Sequence, residues 1–159
     1  MEQEGLDMPL VRAAMRADVL PAHEGDPVID VARALLVAGA SSAPVIGADG
    51  ALVGIVSEYD LLSKPGATAG AVMSRGVISI GPDATAADAT RLMGLHGIHV
   101  LPVVERSELL GVVTRSDLLR VYAATQWRCG ACGELVFGLA PPDACPACGG
   151  HAYERSDAV

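Results

Sequence analysis

Gly54-Ile55-Val56-Ser57-Glu58-Tyr59-Asp60-Leu61-Leu62 recurs, almost letter for letter, as Gly111-Val112-Val113-Thr114-Arg115-Ser116-Asp117-Leu118-Leu119. Each stretch reads as an apolar strand that ends in a hydroxyl residue, with an acid three positions further on. A junction of this kind made twice suggests two equivalent ligand pockets.

The repeat extends upstream. Met15, Val19, Asp30, Arg33, Gly39, Pro44 and Val45 each meet an identical residue 58 positions later, at Met73, Val77, Asp88, Arg91, Gly97, Pro102 and Val103. Past the loops Gly47 to Ala51 and Glu105 to Glu108 the offset falls to 57, pairing Leu52 with Leu109 and Asp60 with Asp117. One residue has been lost in a hairpin loop, where deletion costs little. Two copies of this length read as a tandem duplication of a small α/β unit rather than a solenoid. Neither copy alone buries much surface, so the two are expected to pack into one compact domain.

Bulk properties bound the function. The 159 residues are 51% hydrophobic but only 3% aromatic, which predicts an aliphatic core. The N-terminus opens with acids, and no apolar run approaches the roughly 18 residues that cross a bilayer, so a cytoplasmic protein without a membrane anchor is expected. The formal net charge of −8, a single lysine at Lys64 and scattered arginines argue against a nucleic-acid partner. A small phosphorylated ligand needs only two or three well-placed donors and stays open.

Caps and periodicity set the order of elements. Asp26 is expected to cap a helix with Pro27 in its first turn and Val28, Val31, Leu35 and Leu36 on its apolar face, ending at Gly39. Thr85 and Asp88 have capping-box spacing and open the matching helix, which ends at Gly97. Strands follow at Ala43 to Ile46 and Leu52 to Ser57, and at Val100 to Val104 and Leu109 to Thr114, with hairpin chemistry in Gly47-Ala48-Asp49-Gly50. Helices start again at Ser57, cut short by Lys64-Pro65-Gly66, and at Thr114, running to Ala124.

The order is short strand, helix, strand, strand, helix, twice over. Together with the pattern Gly, two apolar residues, Ser or Thr, two variable residues and Asp, it resembles a tandem pair of cystathionine-β-synthase (CBS) domains, a Bateman module, over roughly Pro9 to Thr125. The resemblance implies an α/β (α+β) fold class, with CBS domains expected at 9–68 and 69–125 and a third segment at 126–159. The resemblance implies regulatory binding of adenine-containing ligands such as AMP, ADP, ATP, NAD or S-adenosylmethionine. It assigns the ribose hydroxyls to Asp60 and Asp117 and a phosphate contact to Ser57 and Thr114. It also implies a homodimer.

Elementary chemistry allows these roles, since a carboxylate accepts from vicinal hydroxyls and a hydroxyl at a helix N-terminus suits a phosphate oxygen. Ser57 with Asp60 and Thr114 with Asp117 equally have the spacing of capping boxes, and the two roles are compatible. The copies differ nearby. His99 stands where the first copy has Ser41, and Arg115 where it has Glu58, so the second copy is expected to bind anions better. His99 also reads as a partly buried strand residue bonded to a carbonyl. Residues matching the family's adenine wall are Val19 and Leu20 in the first copy and Val77, Ile78 and Ser79 in the second, with Ile98 and Pro102 nearby; most serve equally as core.

Beyond Thr125 the chain changes character. Trp127, Phe137 and Tyr153 accompany all four cysteines, arranged as Cys129-Gly130-Ala131-Cys132-Gly133 and Cys145-Pro146-Ala147-Cys148-Gly149. Two CxxCG knuckles at this separation are a specific signal for a tetrathiolate metal site, and a disulfide pairing suits a reducing compartment poorly. This third segment, 126–159, resembles a rubredoxin-like or zinc-ribbon domain. Zinc is the preferred reading, for a structural or protein-docking ribbon; iron is the alternative, for a one-electron carrier or redox sensor regulated by the CBS pair. No nucleophile and base occur in a motif, and a closed four-thiolate site leaves no coordination position for substrate, so a regulatory protein rather than an enzyme is expected.

Overall fold

The computed structural model describes residues 7–157. Along the chain run α1 (Val11–Ala14), β1 (Ala22–His23), α2 (Val28–Ala38), β2 (Ser42–Ile46), β3 (Leu52–Ser57), α3 (Glu58–Ser63) and α4 (Ala69–Val72). There follow α5 (Ala86–His96), β4 (Val100–Glu105), β5 (Glu108–Thr114), α6 (Arg115–Ala124), β6 (Thr125–Cys129), β7 (Leu135–Phe137) and β8 (Tyr153–Asp157).

The described residues gather into two compact bodies, one of residues 7–15, Pro82–His99 and 113–157, the other of Arg16–Gly81 and Val100–Val112. They do not coincide with the two sequence copies. The cause is a reciprocal exchange of the segments that precede each copy. The segment at Pro9 to Val11 lies against the start of the second copy's α5: Ala86 N–H donates to Pro9 O (2.8 Å), Val11 N–H to Ala84 O (2.8 Å), and Leu10 bridges Thr85. The matching segment at Ala67 to Ala69 lies against the first copy's α2: Val28 N–H donates to Ala67 O (3.0 Å), Ala69 N–H to Asp26 O (2.8 Å), and Thr68 bridges Pro27.

The exchange continues onto the last strand of each copy. Arg16 pairs with Val112 on β5, and Ser74 pairs with Ile55 on β3. Passage of the exchanged segments over those strands accounts for their glycines, by backbone at Gly111 and chiefly by a side chain at Gly54. A Cβ at Gly111 would collide with the Arg16 carbonyl oxygen, and one at Gly54 with the Met73 thioether.

In the second body β1 runs parallel to β2 and β2 antiparallel to β3, with Pro44 opposite Ile55. Apolar side chains from α2 (Val31, Leu35), β2 (Val45), β3 (Val56) and α4 (Val72) close one core. Helix α2 ends as expected on Gly39 in the left-handed region (φ 60°). Its start is a correction: the cap position falls on Pro27, and the Asp26 carboxylate instead accepts from the His23 N–H at 2.8 Å. The exchanged segment meets the helix's first N–H, so no side-chain cap is required there.

Strands β4 and β5 form a two-stranded sheet. The residue missing from the second hairpin leaves a turn in which Arg106 (φ 50°) and Ser107 (φ 71°) both take positive φ, the geometry that matches the twist of two-residue hairpins. The short opening strand of the second copy contracts to one parallel bridge, Ile80 to Val103.

In the first body α1, α5 and α6 pack together, with Val11, Ala86, Met93 and Leu118 buried. Strand β6 continues directly from α6 into a three-stranded antiparallel sheet of order β7-β6-β8. Trp127 on β6 is fully buried and donates its indole N–H to Gly138 O at 2.9 Å. Among the described residues no helix is long and apolar enough to cross a membrane.

Candidate ligand and metal sites

Both strand-to-helix junctions are complete capping boxes. In the first copy Asp60 Oδ2 accepts from the Ser57 N–H (2.8 Å) and hydroxyl (2.6 Å), while Asp60 N–H donates back to Ser57 Oγ (3.1 Å). In the second, Asp117 Oδ2 accepts from the Thr114 N–H (2.9 Å) and hydroxyl (2.7 Å). Each acid is nearly inaccessible, 5% exposed at Asp60 and 4% at Asp117. One carboxylate oxygen per copy is therefore committed to the cap, and a ligand reaching either acid meets the other.

That other oxygen has partners too, and sequence reasoning missed them. Asp60 Oδ1 lies 2.6 Å from Lys64 Nζ and 3.3 Å from Ser74 Oγ; Asp117 Oδ1 accepts from Arg120 at 3.1 Å. The Asp60–Lys64 spacing, i to i+4 on one helix, was the available signal. Ser74 had none, because the exchanged segment brings it there. Burial pushes the Asp60 carboxyl up, but the hydrogen bonds from Lys64 and Ser57 outweigh it and hold the group below the usual carboxylate range.

The residues that distinguish the copies are neighbours. Arg115 N–H donates to His99 O (3.3 Å), just as Glu58 N–H donates to Ser41 O (3.0 Å). Arg115 and His99 are exposed. His99 precedes β4 rather than lying partly buried within it. An exposed guanidinium thus flanks the Thr114 cap where the first copy offers the Glu58 carboxylate.

The apolar candidates divide. Leu20 is 87% exposed and Ser79 is exposed, whereas Val19, Ile78 and Ile98 are half-buried. Pro102 is fully buried within β4, its carbonyl accepting from the Ile80 N–H at 3.0 Å.

The four cysteines converge. The Sγ atoms of Cys129, Cys132, Cys145 and Cys148 all lie within 4.8 Å of one another, with Cys129–Cys148 and Cys132–Cys145 at 3.7 Å. They are free, and a disulfide requires about 2.05 Å. Edges near 3.7 Å suit a tetrahedron of sulfurs around a cation with bonds of about 2.3 Å. Gly133 (φ 78°) and Gly149 (φ 74°) turn each knuckle, donating to Cys129 O and Cys145 O at 2.8 Å.

The turns aim backbone N–H groups at sulfur. Those of Cys132 and Ala131 hold the Cys129 thiol below its usual range. Burial raises Cys145, but the Ala147 and Cys148 N–H groups outweigh it and bring the thiol down to about 7. At Cys132 the Glu134 N–H favours the thiolate, yet the neighbouring sulfurs and burial push it up to about 12. Four sulfurs at this spacing cannot all ionise without a cation, and with one they form a closed donor set. Tyr153, its hydroxyl buried, is raised to about 12 by burial and by the Cys145 sulfur beside it.

Comparisons with known proteins agree with this architecture. The CBS-domain family model matches residues 11–66 and 69–124. A Methanocaldococcus jannaschii protein, MJ1426, is 32% identical over 69% of this chain and 89% of its own. An A-adding tRNA nucleotidyltransferase of Aquifex aeolicus is 33% identical over 69% of this chain, which spans only 14% of that enzyme's length. Among solved structures, CBSX2 in complex with AMP superimposes with a TM-score of 0.68 at 26% identity, over 71% of this chain and 95% of that one. The CBS domain pair of MJ0100, in complex with 5′-methylthioadenosine and S-adenosyl-L-methionine, gives 0.68 at 25% identity, over 73% and 97%.

Proposed function

This chain belongs to the CBS-domain family, of which it carries two copies, and on that premise we propose that it is a regulatory sensor of adenine-containing ligands with a metal-stabilised ribbon at its C-terminal end. The CBS domains are assigned to 9–68 and 69–125 and the ribbon to 126–159. The observation that carries the reading is the duplicated junction, where a buried aspartate keeps one carboxylate oxygen beyond its cap. Structural relatives of the pair hold AMP or S-adenosyl-L-methionine.

The second copy is the stronger phosphate site. Asp117 accepts ribose hydroxyls, Thr114 and Arg115 meet phosphate, and His99 flanks it, with Ile98 toward the base. In the first copy Asp60, Ser57, Val19 and Leu20 take the same places beside Glu58. The ribbon binds zinc through Cys129, Cys132, Cys145 and Cys148, and its closed donor set makes it structural rather than catalytic. Exposed apolar residues on the helices, including Leu36 (79%), Val37 (91%) and Leu62 (88%), supply a face for a homodimer.

Calorimetric titration with AMP, ATP and S-adenosylmethionine tests the reading. Asp117→Asn, which keeps a capping acceptor, is expected to cost more affinity than Asp60→Asn; equal losses overturn the asymmetry. Arg115→Ala and His99→Ala, both surface changes, are expected to weaken ATP more than adenosine. Elemental analysis tests the metal: one zinc per colourless chain is expected, and a red, iron-loaded protein overturns the assignment.

A further inference from the structure

The chain's only lysine occupies a telling place. Lys64 is the C-cap residue of α3, just before Pro65-Gly66, and its ammonium closes a ring with Asp60 and Ser74. Nζ lies 2.6 Å from Asp60 Oδ1 and donates to Ser74 Oγ at 3.1 Å, and Ser74 donates to the same Oδ1 at 3.3 Å. Ser74 is fixed, because its N–H and carbonyl are both paired with Ile55. Lys64 stands on a flexible stem and is 40% exposed. With Oδ2 saturated by Ser57, a diol reaching Asp60 must displace something from Oδ1, and the lysine is the partner able to leave.

The second copy divides the labour differently. Arg120 neutralises Asp117, and a separate cation, Arg115, stands at the phosphate end of the junction. In the first copy that end carries Glu58, so the ammonium that leaves Asp60 is the positive charge at hand for an incoming anion. An uncharged nucleoside breaks the ion pair and offers Lys64 nothing in return, whereas a phosphorylated one replaces the carboxylate with a phosphate.

We infer that Lys64 is a resident counter-ion that holds the place of the ribose diol on Asp60 and makes the first copy select phosphorylated over uncharged adenine ligands. The inference rests on the ligand reading above. Lys64 acts as a specificity residue, exchanged between a carboxylate of the protein and an anionic group of the ligand.

The test uses full-length, metal-replete protein with the second site silenced by Asp117→Asn, titrated with adenosine and with AMP, with and without Lys64→Gln. Removing the lysine is expected to tighten adenosine by about fivefold while leaving AMP unchanged or weaker, so that the preference for AMP collapses. Equal effects on both ligands, or none, overturn the inference while the ligand reading stands. No binding in the Asp117→Asn protein, where wild type binds, overturns it together with the first copy's role as a site. A direct readout comes from reductive methylation with 13C-formaldehyde, which places one side-chain amine signal on Lys64. Saturation with AMP is expected to move that signal, and a stationary signal at full occupancy overturns the exchange.

Discussion

Arg155 Nη1 donates both to the carbonyl oxygen of Asp7, at 3.0 Å, and to its carboxylate, at 3.1 Å, joining the last strand of the ribbon to the segment that opens the described chain. Met8, the next residue, packs on the ribbon core of Trp127, Cys129, Cys145 and Tyr153. Two residues further, Leu10 bridges Thr85 at the start of α5. The ribbon thus anchors the segment that the second copy borrows. Arg155→Gln is expected to cost about 1 kcal/mol of stability and to speed hydrogen exchange at the Val11 and Ala86 amides, which tie the segment to α5. Unchanged exchange at both amides would count against this coupling.

Metal removal should be visible through one side chain. Trp127 is the chain's only tryptophan and is fully buried in the ribbon. So small a sheet has little core of its own, and structural zinc supplies on the order of 10 kcal/mol to comparable folds. A strong chelator, or Cys145→Ser, is expected to red-shift Trp127 emission and to accelerate exchange at Val11 and Ala86. A blue emission maximum retained after full metal loss would show that the ribbon folds on apolar contacts alone.

The close strand crossings predict an unequal pair of glycine substitutions. At Gly111 the obstacle is backbone, the Arg16 carbonyl, whereas at Gly54 it is chiefly the flexible Met73 side chain. Gly111→Ala is expected to destabilise by about 2–4 kcal/mol and Gly54→Ala by less, as read by chemical denaturation. The reverse order would mean that the Arg16 crossing yields easily.

Acid sensitivity follows from the capping carboxylates. Asp88 is held low first by the Thr85 hydroxyl, against burial, with further help from the Thr85 N–H and Arg91; Asp60 is held low by Lys64 and Ser57 against burial. A carboxyl depressed in the folded state contributes its stability fully above the unfolded value. That contribution is lost as pH falls through the lower folded value, below about pH 4. Asp88→Asn is expected to lower stability near pH 7 and to flatten the acid limb of the stability curve, measured by thermal melts at stepped pH. An acid limb parallel to wild type would remove Asp88 from the explanation.

Local chemistry made much of this legible. The strand Leu52–Ser57 and the helix ends at Ser63 and Ala124 follow from turn residues, a proline stop and caps that act over a few positions. The cysteine knuckles needed only their spacing. What escaped was long-range. Nothing near Leu10 announces Thr85, and nothing near Ser74 announces Asp60, because each contact is made across the duplication. The glycines at 54 and 111 were the one local trace, visible as strand residues without side chains but silent about which backbone crosses them. The Asp26 cap failed for the same reason: a borrowed carbonyl, Ala67 O, had already met the helix's first amide.

The reciprocal exchange has a consequence for dissecting this protein. A fragment cut at the boundary of the duplication would keep its own opening segment with no helix start to lie against, and a helix start whose opening segment has gone. The two halves are therefore not separable modules, although their sequences look like two beads on a string. Two identical half-chains could restore every lost pairing only by trading opening segments. What would be an association between molecules for two separate copies is, in this chain, a contact within one.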